Sequence, residues 1–122
     1  MSYTATRAYR KTCRTSASGR QIEAMAFAKA ARLLEEARQS PGNEEVLRHA
    51  LDFNRVVWTV IQAETTDPRT HLAAAVKAGL ISLSLFVDRA LSDLRRGYSR
   101  KDLAALISVN RDMAIGLFTN QD

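Results

Sequence analysis

LRHALDFNRVVWTVI, running from Leu47 to Ile61, carries two conflicting signals. Its second half, Val56 to Ile61, is β-branched and aromatic and on propensity alone favours a strand. Yet Leu47, Ala50, Leu51, Asn54, Val57, Trp58 and Ile61 recur at helical spacing through the whole stretch with no break in period, which puts them on one face of a helix. The unbroken period outweighs the composition of its second half, so the segment reads as a helix. A second stretch, LAALISVNRDMAIGL from Leu103 to Leu117, repeats the same offsets with Leu103, Leu106, Ile107, Asn110, Met113, Ala114 and Leu117. In both the fourth member is an asparagine followed by an arginine, so Asn54-Arg55 and Asn110-Arg111 are equivalent.

Working outward, the punctuation fits two more helices. Ser18 with Gln21 forms a capping box, after which Ile22, Ala26, Phe27, Ala30, Leu33, Leu34 and Ala37 keep helical spacing to about Gln39. Ser40, Pro41 and Gly42 stop this first helix, and Asn43 caps the second, with Glu44 and Glu45 against its positive end. Asp67 before Pro68 reads as the cap and first residue of a third helix that extends to about Arg96, with Gly97 as a left-handed stop. Ser99 with Asp102 opens the fourth. The fold class is therefore all-α: a single-domain bundle of four main helices over 19–118, preceded by a basic arm over 1–18 and followed by a short tail over 119–122.

Asn54 and Asn110 interrupt apolar seams, where an unpaired amide costs about 1–3 kcal/mol, so each needs a partner, and each other is one candidate. They read as core amides that set helix register, with Trp58 as a core anchor beside them; a ligand pocket would bring several more polar groups. On that reading, changing both to leucine preserves helicity, raises stability and loosens specificity. The third helix is apolar on two sides. Leu72, Val76, Leu80, Leu83, Val87, Ala90, Leu91 and Leu94 form its main stripe, while Ala74, Ala78, Ile81 and Leu85 project opposite. Either this is the central helix, covered by the first on one side and by the second and fourth on the other, or Ile81 and Leu85 belong to a patch that takes a helix from another protein.

With 122 residues, 46% of them apolar and 25% charged, the chain is sized and composed for one globular domain. All of its net charge of +5 belongs to Met1 to Arg20, which holds Arg7, Arg10, Lys11, Arg14 and Arg20 and no acid. The remainder is formally neutral. The leader's Ser, Thr and Arg resemble a transit peptide in composition, but no apolar helical stripe accompanies them, so an arm is the expectation. Cys13 alone makes no internal disulfide, and Cys13 with His49 and His71 is too small a set for a metal cage, so no cofactor or metal is expected. The longest uncharged run, Ala78 to Val87, is too short to span a bilayer, so neither membrane insertion nor export by a cleaved signal is expected. No phosphate loop, nucleophile elbow or zinc motif occurs, which argues against an enzyme. Tyr9 among Arg7, Arg10, Lys11 and Arg14, and Tyr98 among Arg95, Arg96, Arg100 and Lys101, are arrangements that could stack on unpaired bases and neutralise phosphate. Helix-end electrostatics accounts for the second cluster equally well, and a solvated arm for the first.

The segments AYRKTCRTSASGRQIEA, ALDFNRVVW, LISLSLFVDRA and VNRDMAIGL, in this order, resemble the flagellar biosynthesis regulator FlaF family of alphaproteobacteria. Tyr9, Arg20 and Glu23, then Asn54, Arg55 and Trp58, then Asn110, Arg111, Met113, Ala114, Gly116 and Leu117 carry the resemblance. HLAAAVKAGL departs from it, because the family more often has a leucine-proline opening and a further asparagine there. The resemblance implies a non-catalytic cytoplasmic factor that promotes flagellin synthesis and secretion and filament assembly, working with FlbT and binding flagellin before export. A chaperone-like adaptor follows from that implication, with Ile81 and Leu85 in the apolar contact and Arg55 and Arg111 at its rim. The alternative is an RNA-binding regulator that acts directly on flagellin mRNA.

Overall fold

The computed structural model describes residues 17–70 and 72–119, and the side chains of 21–70 and 72–116. Among them are four helices and no strand: α1 (Ala17–Gln39), α2 (Glu44–Thr66), α3 (Ala74–Arg96) and α4 (Arg100–Thr119). The all-α bundle expected from periodicity is the fold, and Val56 to Ile61 is helical. The basic arm with Tyr9 and Cys13, and His71, lie outside the described residues. Packing runs round a ring, α1 on α2, α2 on α3, α3 on α4 and α4 on α1, while the backbones of the diagonal pairs stay apart. The α1–α4 contact is the most intimate. Its seam contains Ala28, Ala31 and Ala114, whose small side chains let two backbones come close. Trp58 stands on α2 at the offset that Ala114 has on α4, and reaches Phe27 on α1 and Asn110 on α4.

Local chemistry explains most of the helix ends. Gly42 closes the first connection at φ +89°, a conformation that costs glycine little. Asn43 then caps α2, its side chain accepting the Val46 N–H at 3.2 Å, and Ser99 Oγ accepts the Asp102 N–H at 3.2 Å at the start of α4. Three expected boundaries are corrected. α1 begins at Ala17, so Ser18 lies inside the helix and is not its cap. Gly97 ends α3 in an extended conformation, at φ −179°, and not in a left-handed one. Asp67 caps no helix start but ends α2: its carboxylate accepts the Arg69 N–H at 2.9 Å, and Thr70 N–H donates to its carbonyl at 3.0 Å. That aspartate turn uses the side chain two residues ahead, so the chain closes on itself before any helix can start. α3 instead begins at Ala74 without a side-chain cap.

The core gathers Phe27, Leu34, Trp58, Val87, Leu103 and Leu106, all fully buried, with the Phe27 and Trp58 rings edge to face at 5.4 Å. Asn54 and Asn110 are fully buried within it. Asn54 Nδ2 donates to the carbonyls of Ala30 at 3.2 Å and Ala50 at 2.8 Å, and its Oδ1 accepts from Asn110 Nδ2 at 2.6 Å. Asn110 Oδ1 in turn accepts the Trp58 Nε1–H at 3.0 Å. One chain of hydrogen bonds thus spans the diagonal between α2 and α4 and reaches α1.

Candidate partner-binding surface

α3 and α2 are equally long, at 23 residues each, but are staggered along their common axis. Arg95 donates to Asp52 at 2.8 Å and Gln62 donates to Asp88 at 2.8 Å, and these two bonds set the antiparallel register of α2 and α3. In that register Thr66, the last residue of α2, comes level with about Leu83 and Ser84. Residues 74–82 therefore run past the end of α2. No residue of α3 before Ser84 is buried, and Leu80 and Leu83 are only partly covered by the core. Leu72, Val76, Ile81, Leu85 and Phe86 are all exposed, Leu85 at 62% and Val76 at 51%.

Two expectations change here. α3 is not the central helix, because in a ring of four it stands diagonally opposite α1 and its backbone packs against those of α2 and α4. Of the expected inward stripe, Leu72 lies in the connection before α3 and Val76 lies on the core side beyond the end of α2, and both are exposed. From Leu72 to Val87 the one charged residue is Lys77. Such a surface offers no acid, base or ligand set; what it can do is bury another apolar surface, each square ångström worth about 25 cal/mol.

Arg55 and Arg111 are both exposed but are not gathered around this surface. Arg55 is on α2 close to Asp52. Arg111 lies in the α1–α4 groove of about 390 Å³ with Ala28, Ala31, Arg32, Glu35, Ala114 and Ile115, across the ring from the outward face of α3. In the basic cluster, Arg95 pairs with Asp52 and Arg96 with Asp93, while Arg100 and Lys101 are exposed in the first turn of α4. Tyr98 is exposed at an open groove of about 600 Å³ between the α1–α2 connection and the end of α3, which Asn43, Leu47 and Arg48 also line. His49 is exposed on α2. Phe86 and Val56 were not singled out in the sequence, and the signal that marks Leu72 and Val76 as exposed is the early end of α2 relative to the start of α3.

The ion pairs bear on stability rather than on chemistry. The Arg38 guanidinium, with help from Arg111 and Gln39, holds the Glu35 carboxyl below its ordinary value against partial desolvation. Arg48 does the same for Glu45, and Arg95 first of all for Asp52. A carboxyl depressed in the folded state stabilises it above the unfolded value and loses that contribution as pH falls through the folded value. The thermal midpoint is therefore expected to be level near neutrality and to fall once pH drops below the ordinary carboxylate range of about 4. A melting series across acid pH checks this; a midpoint that rises on acidification would remove these pairs from the folded protein.

No helix among the described residues is long and apolar enough to cross a membrane, and no group of three or more His, Cys, Asp or Glu there could hold a metal ion. Neither the curated proteins nor the solved structures contain a significant match to the chain. The family model for the flagellar protein FlaF does match, over residues 5–117 and hence nearly the whole sequence, and the chain accordingly belongs to the FlaF family.

Proposed function

We propose that this chain is a non-catalytic, cytoplasmic regulator of flagellum biogenesis that binds flagellin through the exposed half of α3. It acts as a chaperone-like adaptor, covering an apolar helical face of flagellin before secretion and so promoting flagellin synthesis and filament assembly together with FlbT. The observation that supports the reading is the apolar overhang: five large apolar side chains between Leu72 and Phe86 exposed in a chain whose family is flagellar. A helix apolar along one side is the natural cover for such a surface.

Ile81→Asp with Leu85→Asp is the direct test. Both side chains are exposed, so the variant is expected to keep its far-UV ellipticity and to lose no more than about 1 kcal/mol of stability. Purified flagellin captured by the wild-type chain should no longer be captured by the variant; undiminished capture rules out α3 as the docking surface. The same pull-down includes FlbT and flagellin mRNA at two salt concentrations. Retention of the transcript that falls steeply with salt, and that depends on residues 1–18, would replace this reading with direct RNA regulation.

A further inference from the structure

α3 carries two seams of the same kind. Facing the bundle, Val76, Leu80, Leu83, Val87, Ala90 and Leu94 alternate steps of four and three residues. Facing away, Ala74, Ala78, Ile81 and Leu85 keep the same alternation, which is the spacing of d and a positions in a heptad. All four outward residues are exposed, and the seam stops at Asp88, whose carboxylate is taken by Gln62. A second heptad seam is matched in geometry by one more helix, packed nearly parallel or antiparallel to α3. With Ala74 and Ile81 as d and Ala78 and Leu85 as a, the bordering e and g positions include Ala75, Lys77, Ser82 and Arg89. The charged ones, Lys77 and Arg89, are both cations, both exposed, and neither makes an ion pair among the described residues.

We infer that the outward seam of α3 selects an amphipathic helix of another protein whose apolar heptad stripe is bordered by acidic residues. This rests on the reading of α3 as a docking surface and adds the chemistry of the helix it takes. A second copy of this chain is a poorer occupant, because in either orientation it presents Lys77 and Arg89 and no acid at the same positions.

Two labelled three-heptad peptides with one apolar stripe, one carrying glutamate and the other lysine at e and g, are titrated against the full chain by fluorescence anisotropy. Each is kept at a concentration where it is monomeric alone. The glutamate peptide is expected to bind at least about tenfold more tightly at low salt, with the preference shrinking as salt rises. Lys77→Glu with Arg89→Glu, two exposed changes that leave the core intact, should reverse the preference, and Ile81→Asp with Leu85→Asp should abolish binding of both peptides. Equal affinities, a preference indifferent to the charge reversal, or glutamate-peptide binding that survives the Ile81 and Leu85 changes each overturn the inference. So does a dimer of the chain in sedimentation that those same changes dissolve. Failure to capture flagellin while the glutamate peptide binds as described sinks the flagellin reading and leaves this one standing. Flagellin captured through Ile81 and Leu85 while the two peptides bind alike does the reverse.

Discussion

Trp58→Ala is expected to leave a chain that is largely unfolded or close to it. The indole is fully buried, meets Phe27 edge to face, and gives its N–H to Asn110. Truncating a core tryptophan costs about 3–5 kcal/mol through lost burial and the cavity that remains. Asn110 Oδ1 then loses its donor at a fully buried position, for about 1–3 kcal/mol more. The sum is comparable with the whole stability of a small domain, about 5–15 kcal/mol. Urea unfolding followed by far-UV ellipticity reads the effect. A midpoint close to that of the wild-type chain would mean that the ring does not hold the centre of the bundle.

The asparagine pair gives the second large effect, and the two members are not expected to be equal. Asn110→Leu strands two groups, the Asn54 Oδ1 and the Trp58 Nε1–H, whereas Asn54→Leu strands the Asn110 Nδ2 alone, because the Ala30 and Ala50 carbonyls that lose Asn54 Nδ2 lie within helices and keep their backbone donors. With about 1–3 kcal/mol for each buried group left unpaired, Asn110→Leu should be the more damaging change. The double variant should cost less than the two single costs added together, because the second leucine removes an amide that the first had already orphaned. It should nonetheless stay below the wild-type chain in stability, because the Trp58 N–H remains buried without an acceptor. This revises the expectation that two leucines raise stability, which took the asparagines as a closed pair. Strictly additive costs in urea titrations, or a double variant more stable than the wild-type chain, would show that the hydrogen-bond chain is not coupled.

The three consequences of periodicity were legible in the residues: four helices, the buried faces of α2, of α1 from Phe27 onward (its expected first member, Ile22, is exposed) and of α4 as far as Ala114, and the equivalence of Asn54 with Asn110. Each follows from the hydrophobic effect acting on a regular repeat, which is local information. The caps at Asn43 and Ser99 were legible for the same reason, since a side chain there answers a backbone N–H three residues on. Asp67 was misread because one aspartate suits an N-cap and an aspartate turn equally well, and the choice depends on what the following residues go on to do.

The outward face of α3 could be listed from the sequence but not weighed. Ile81 and Leu85 stand at helical spacing whether a neighbour covers them or not, and coverage is a property of ring order and register. Alanines in the α1–α4 seam draw those two helices together, and the bonds that Arg95 donates to Asp52 and Gln62 donates to Asp88 stagger α2 against α3, so that α2 ends level with the middle of α3. Those contacts join residues that are far apart in the chain, so no local pattern encodes them. Residue order alone thus specifies that this is a four-helix chain with a polar link in its core. Long-range packing specifies that α3 extends an apolar seam past the end of α2, because a side chain's exposure is set by what stands beside it and not by the repeat that placed it.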